Sequence, residues 1–169
     1  DKQKKIKTEL IVQRQIFTKK SLYDNDNILR EKKIKEIKDF TNFLLKCSTF
    51  YSQILNQNFE NSEINNSFFR LETLGKVENF LPLYLAILTN KKFKPEFLIA
   101  INEILEIYTI RVYIFGNKKG NTGIPTILDL AHKVYSNKIN FTELKKELRN
   151  LIEKNSNNSD LRKSIINLS

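Results

Sequence analysis

Residues 96–115, EFLIAINEILEIYTIRVYIF, are apolar on nearly every side when wound at 3.6 residues per turn. A helix of that kind has no face to offer water, so other elements must enclose it. Glu103, Glu106 and Arg111 interrupt the run and argue against a lipid span. This segment is therefore expected at the centre of a bundle. The rest of the chain agrees, with four Gly and three Pro in 169 residues and long stretches of helical period. The expected fold is all-α: a multi-helix bundle of about six to eight helices with a central hydrophobic helix near 96–115.

The other elements follow from period and punctuation. Segment 4–21 reads as a helix with Ile6, Leu10 and Phe17 on one side, followed by a capping-rich turn at 23–27. Positions 28–56 form a long helix whose apolar stripe is Ile37, Phe40, Leu44, Cys47, Tyr51 and Ile54. Core packing is the favoured use of that stripe, because a coiled-coil seam needs more clean heptads. Polar residues 56–66 give a loop and a helix start, and Phe68, Phe69, Leu71 and Leu74 lead to Gly75 as a C-cap. A helix over 78–89 tolerates Pro82 in its first turn, and Lys91–Lys94 form a basic connector. Gly116 ends the central helix, and Pro125 restarts a helix through Tyr135. A surface helix over 140–154 follows, although Thr142 with Lys145 lacks the acidic half of a capping box. Residues 1–155 are expected to make one helical domain, and 156–169 a polar linker with a terminal helix. The chain opens at Asp1 and contains no Met, so it is expected to be a processed or excised piece.

The net charge of +10, from 29 Lys and Arg against 19 Asp and Glu, favours polyanionic partners. Twenty-three of those cations are Lys, beside many Asn and Ile, and this is also the usage of an AT-rich genome. The two explanations weigh equally. Cys47 is the only cysteine, which excludes an intrachain disulfide and a cysteine cluster for zinc and points to a reducing compartment. There is no apolar run long enough to span a bilayer, and the Lys-rich start lacks a signal core. The chain is read as cytoplasmic, with no membrane partner.

Chemistry-bearing motifs are sparse. His132 is the only histidine, which removes two-histidine metal sites and leaves a Cys–His pair only if Cys47 and His132 meet in space. A buried structural thiol and a satisfied or surface histidine are the expected roles. No Gly-Lys-Ser/Thr phosphate loop and no Gly-x-Gly-x-x-Gly occurs. Neither a catalytic residue, a metal ligand nor a cofactor is expected in this piece. The nearest approach to an anion site is Gly116-Asn117-Lys118-Lys119-Gly120-Asn121-Thr122-Gly123 before a helix N-terminus. An ordinary interhelix loop with capping Gly and Asn is the preferred account, ahead of a phosphate nest. Arg111 lies among Ile107, Tyr108, Ile110, Val112 and Ile114, where a guanidinium needs a carboxylate or phosphate. A structural ion pair is favoured over ligand contact, with Glu72, Glu78 or Glu106 as candidates. Glu103 and Glu106 are spaced as an acid/base pair, but solvated edge charges explain them equally well.

Residues 70–135 resemble the helical region of GmrSD-type modification-dependent (type IV) restriction endonucleases. The residues that carry the likeness are Phe80, Pro82, Leu83, Glu106, Tyr108, Arg111, Gly116, Asn121, Thr122 and Gly123. The resemblance implies a parent with a ParB-like nucleotide-hydrolysing end, bearing Asp-Gly-Gln-Gln-Arg, and a His-Asn-His nuclease end. Neither motif occurs in this chain. It implies a noncatalytic middle domain that links those ends and contacts DNA, with Arg111, Lys118, Lys119, Asn121 and Thr122 touching phosphate or an adjoining domain. The alternative is a structural or protein-interaction bundle with no nucleic-acid role.

Overall fold

The structure is a computed structural model and describes residues 27–166. The helix expected over 4–21 lies outside the described residues, as does most of the turn after it. The described residues form seven α-helices and no strand. These are α1 (Asn27–Asn56), α2 (Ser62–Thr73), α3 (Leu81–Thr89), α4 (Phe97–Tyr108), α5 (Ile124–Tyr135), α6 (Phe141–Asn155) and α7 (Asn158–Ile166). A 3-10 turn (Val77–Phe80) leads into α3, and a π-helical turn (Thr109–Phe115) continues α4. The architecture is the expected all-α bundle. The chain divides into two compact units, Asp1–Ser48 and Thr49–Ser169, with the boundary inside α1.

Within the first unit, Lys33, Ile37, Phe40, Phe43 and Cys47 are half-buried, stepping by three and four along one face of α1. In the second unit the same helix turns Phe50 and Ile54 inward. The expected stripe used Leu44 and Tyr51, which are exposed. The inward positions are instead Phe43 and Phe50, one residue earlier in each case. Both choices satisfy a three-four step, so period alone does not separate them.

The core of the second unit is built on α4, which packs against α2 on one side and α6 on another, while α3 packs against α5. Leu98, Ile101, Ile104, Leu105 and Tyr108 of α4 are buried, with Leu71 of α2, Leu83 and Ile87 of α3, Leu130 and Val134 of α5, and Leu144 and Leu148 of α6. Each such side chain contributes about 1.5–3 kcal/mol when fully removed from water. Edge-to-face aromatic contacts run Phe68–Tyr84 (4.9 Å), Tyr84–Phe80 (6.5 Å) and Phe80–Tyr108 (6.2 Å), joining α2, α3 and α4. The central helix is not wholly enclosed: Ile107 and Ile114 are 49% and 52% exposed.

The helix ends obey local chemistry that is readable once the boundaries are known. Asn61 caps α2, its side-chain oxygen accepting from the Glu63 N–H at 2.8 Å, so α2 starts well before Phe68. Asn140 and Glu143 form a reciprocal capping box on α6. The box therefore begins two residues before Thr142, and the acidic half that Thr142 lacked belongs to Asn140. The polar linker expected from residue 156 breaks the helix only at Ser156 and Asn157 before α7 begins.

Polar groups in the core are few and costly. Asn102 Nδ2 donates to Ser67 Oγ at 2.8 Å, and that hydroxyl donates to the Ile64 carbonyl at 2.7 Å, pinning α4 to α2. Among the described residues, the buried Tyr84 hydroxyl has no hydrogen-bond partner. A buried hydroxyl without a partner retains its full desolvation cost. Tyr84→Phe is accordingly expected to stabilise the fold by about 1 kcal/mol. Urea unfolding checks this, and a loss of stability would show that the hydroxyl is satisfied.

Candidate nucleic-acid interface

The loop between α4 and α5 is held from beneath by two tyrosines. Tyr108 and Tyr113 both donate their hydroxyls to the Thr122 carbonyl, at 2.8 and 2.7 Å. In a regular α-helix, residues five apart point about 140° away from each other, given 3.6 residues per turn. Here the chain bonds i to i+5 after Tyr108, as in the Gly116 N–H to Arg111 carbonyl bond of 3.0 Å. The wider turn brings the two rings together, edge to face at 5.5 Å, so both hydroxyls reach one acceptor. Burial raises the pKa of both hydroxyls above the ordinary phenol value, so they stay protonated and able to donate at neutral pH.

Glycine is required at both anchor points. A Cβ on Gly116 would sit 2.8 Å from the Arg111 and Val112 carbonyl oxygens, which the π turn crowds together. Gly123 has φ of +79°, and a Cβ there would lie 2.1 Å from the Tyr108 hydroxyl. A third tie comes from the 3-10 turn, where Asn79 Nδ2 donates to the Gly120 carbonyl at 3.1 Å. Lys76 lies over the Tyr113 ring, 5.3 Å from its centroid, and its ammonium is 3.7 Å from where a Gly120 Cβ would stand. Lys118, Lys119 and Asn121 are exposed on this pinned loop, so Lys76 adds a third cation beside it.

The backbone contributes less to an anion site than its glycines suggest. The Ile124 N–H bonds to the Asn121 carbonyl at 3.2 Å, and Pro125 has no N–H. One donor at the start of α5 is thereby engaged and the next position has none, so the lysine ammonium groups carry the positive field. Thr122 is an anchor through its carbonyl rather than a free polar group.

Arg111 is 15% exposed and grips the end of α6. Its guanidinium pairs with Glu153 at 3.3 Å and donates to the Ser156 carbonyl and to Asn158 Oδ1. The favoured structural ion pair is present, with a carboxylate outside the three proposed from sequence. Glu106 instead pairs with Arg70 at 3.1 Å, joining α4 to α2, while Glu103 is exposed. Arg111 thus closes the junction between α6 and α7, next to the loop that begins five residues later.

The remaining reactive groups lie apart from this loop in sequence and in role. Cys47 is half-buried on α1 in the first unit; burial raises its thiol pKa, more than the neighbouring Lys46 lowers it. His132 is exposed on α5 in the second unit. Among the described residues, no group of three His, Cys, Asp or Glu is placed to hold a metal ion, and no helix is long and apolar enough to cross a membrane.

Sequence reasoning selected Lys118, Lys119, Asn121, Thr122 and Arg111 but missed Lys76, Asn79, Tyr113 and Asn155. Asn155 reaches the Tyr108 hydroxyl at 3.5 Å from the end of α6. Tyr113 carried a usable signal, a second aromatic before Gly116. The other three depend on long-range packing and left no local mark. Comparison with protein families, curated proteins and solved structures returns no match for this chain.

Proposed function

We propose that this chain is a noncatalytic helical module of a DNA-restriction enzyme, resting on the phosphate backbone through the 116–123 loop and Lys76. The observation that carries the reading is a lysine-bearing loop whose Thr122 carbonyl accepts from two buried tyrosines, whose Gly120 carbonyl accepts from Asn79, and which is flanked by a third cation. Ordering such a loop needs little additional entropy on contact, which suits a surface meant to receive charge rather than one left to solvent. The resemblance of residues 70–135 to GmrSD-type enzymes supplies the finer form: a cytoplasmic phage-defence protein in which this module joins catalytic ends. In that setting the α6–α7 junction clasped by Arg111 faces an adjoining domain.

Binding of a fluorescent DNA duplex, followed by anisotropy across a salt series, tests this. The wild-type chain is expected to bind at low salt without sequence preference. Lys118→Ala with Lys119→Ala should make the slope of log K against log salt shallower by about 2, roughly one unit for each phosphate left without its lysine. Absence of binding at micromolar protein in low salt would remove the nucleic-acid role. A protein-interaction bundle is the second reading, favoured by the exposed Phe69, Ile107 and Ile114. Sedimentation that shows self-association or partner capture without DNA binding would select it.

A further inference from the structure

The other end of α5 carries a second lysine-lined feature. A cleft of about 240 Å³ opens between the 90–94 connector and the turn from α5 into α6, bordered by Lys92, Asn137, Lys138, Asn140 and Glu143. The two turns are set side by side by one buried side chain, Asn90. Its Oδ1 accepts from the Lys92 N–H at 2.9 Å, while its Nδ2 donates to the Val134 carbonyl at 2.6 Å and to Asn137 Oδ1 at 3.4 Å. Asn90 therefore fixes the backbone beneath Lys92 relative to the backbone beneath Lys138. Asn137 adopts φ of +57° at this turn, with its N–H bonded to the Val134 carbonyl.

The charge at the cleft is uneven. Lys92 and Lys138 are exposed at its rim, and Lys91 and Lys94 lie on the same connector. The one carboxylate at the border, Glu143, already accepts the Asn140 N–H at 2.9 Å within the capping box. Phe141 forms part of the wall, but its ring stacks on Phe97 at 3.8 Å and carries the Lys145 ammonium at 4.5 Å. Two partners at those distances must occupy opposite faces, so no ring face is left on which a base can stack. Ile139 and the buried Phe93, which meets Phe97 edge-on, complete the wall, and the polar groups on offer are ammonium and amide groups, which suit a phosphate.

We propose that this cleft is a second contact for nucleic-acid phosphate, held by Lys92 and Lys138 and positioned by Asn90. It deepens the reading of the 116–123 loop and rests on a polyanionic partner. The two sites are separated by the length of α5, about 18 Å for 12 residues. At that distance the two contributions to binding should add.

The full chain and a DNA duplex, again over a salt series, discriminate the outcomes. Lys92→Ala with Lys138→Ala is expected to make the salt slope shallower by about 2. Lys92→Arg with Lys138→Arg should keep the slope. Lys146→Ala with Lys154→Ala, the same charge change on exposed residues of α6, should leave it nearly as in wild type. If the cleft pair behaves like the α6 pair, the cleft is not a site and the proposal is overturned, while the loop reading stands on Lys118 and Lys119. If the cleft pair lowers the slope and the loop pair does not, the cleft stands and the loop reading falls. If wild-type protein binds no duplex, both fall.

Discussion

Gly123→Ala is expected to destabilise the protein by about 3 kcal/mol, from two costs that act at one atom. A left-handed backbone with a Cβ costs about 1–2 kcal/mol, and Gly123 stands at φ of +79°. The same Cβ would fall 2.1 Å from the hydroxyl of Tyr108, a ring 1% exposed and packed between Phe80 and Tyr113. Forcing such a ring aside costs about 1–3 kcal/mol. In a chain of this size the melting temperature should fall by roughly 6–12 °C. Tyr108→Phe in the Gly123→Ala background removes the colliding oxygen and should recover part of the loss, so the two changes will not add. Thermal melts of the two single variants and the double variant decide it. Strict additivity, or an alanine variant as stable as wild type, would mean the loop does not lie on Tyr108.

Phe80→Ala is expected to cost about 4 kcal/mol, in the range for removing a buried phenyl ring. Phe80 is 0% exposed and touches both Tyr84 and Tyr108 edge-on. It also ends the 3-10 turn that contains Asn79 and follows directly on Lys76, so the damage reaches the surface. With the ring gone, Asn79 should no longer hold the Gly120 carbonyl, and hydrogen exchange at amides 118–122 should quicken beyond what the global destabilisation predicts. Urea unfolding with amide exchange on one sample reads both effects. A large stability loss with unchanged loop exchange would separate the 3-10 turn from the loop.

These effects mark what was legible in the sequence. The bundle was readable because apolar spacing at 98, 101, 104, 105 and 108 reports burial directly. Gly116 and Gly123 were readable as punctuation, although the reasons for them, crowded carbonyls and a phenol, were not. The π turn escaped because its residues are as apolar as those of an α-helix, and period blurs over so short a stretch. It alone explains how Tyr113 reaches Thr122. The apolar neighbours of Arg111 in sequence mark it as a cation in need of a partner. Its carboxylate, Glu153, is 42 positions away, a separation no local pattern encodes. The second lysine cleft was visible only as a basic connector. Asn90, which aligns it with the turn at 136–140, looked like any residue at a helix end.

The Thr122 carbonyl has a consequence for motion. A carbonyl oxygen has two lone pairs, and here each accepts a phenol. The peptide plane between Thr122 and Gly123 thus has no spare acceptor with which to trade partners, and rotating it would break two bonds at once. The loop is thereby held fast at its Thr122 end. Lys118 and Lys119 sit on backbone that is itself bonded, the Lys118 N–H to the Val112 carbonyl and the Lys119 carbonyl to the Thr122 N–H, so their side chains supply the freedom to meet a charge.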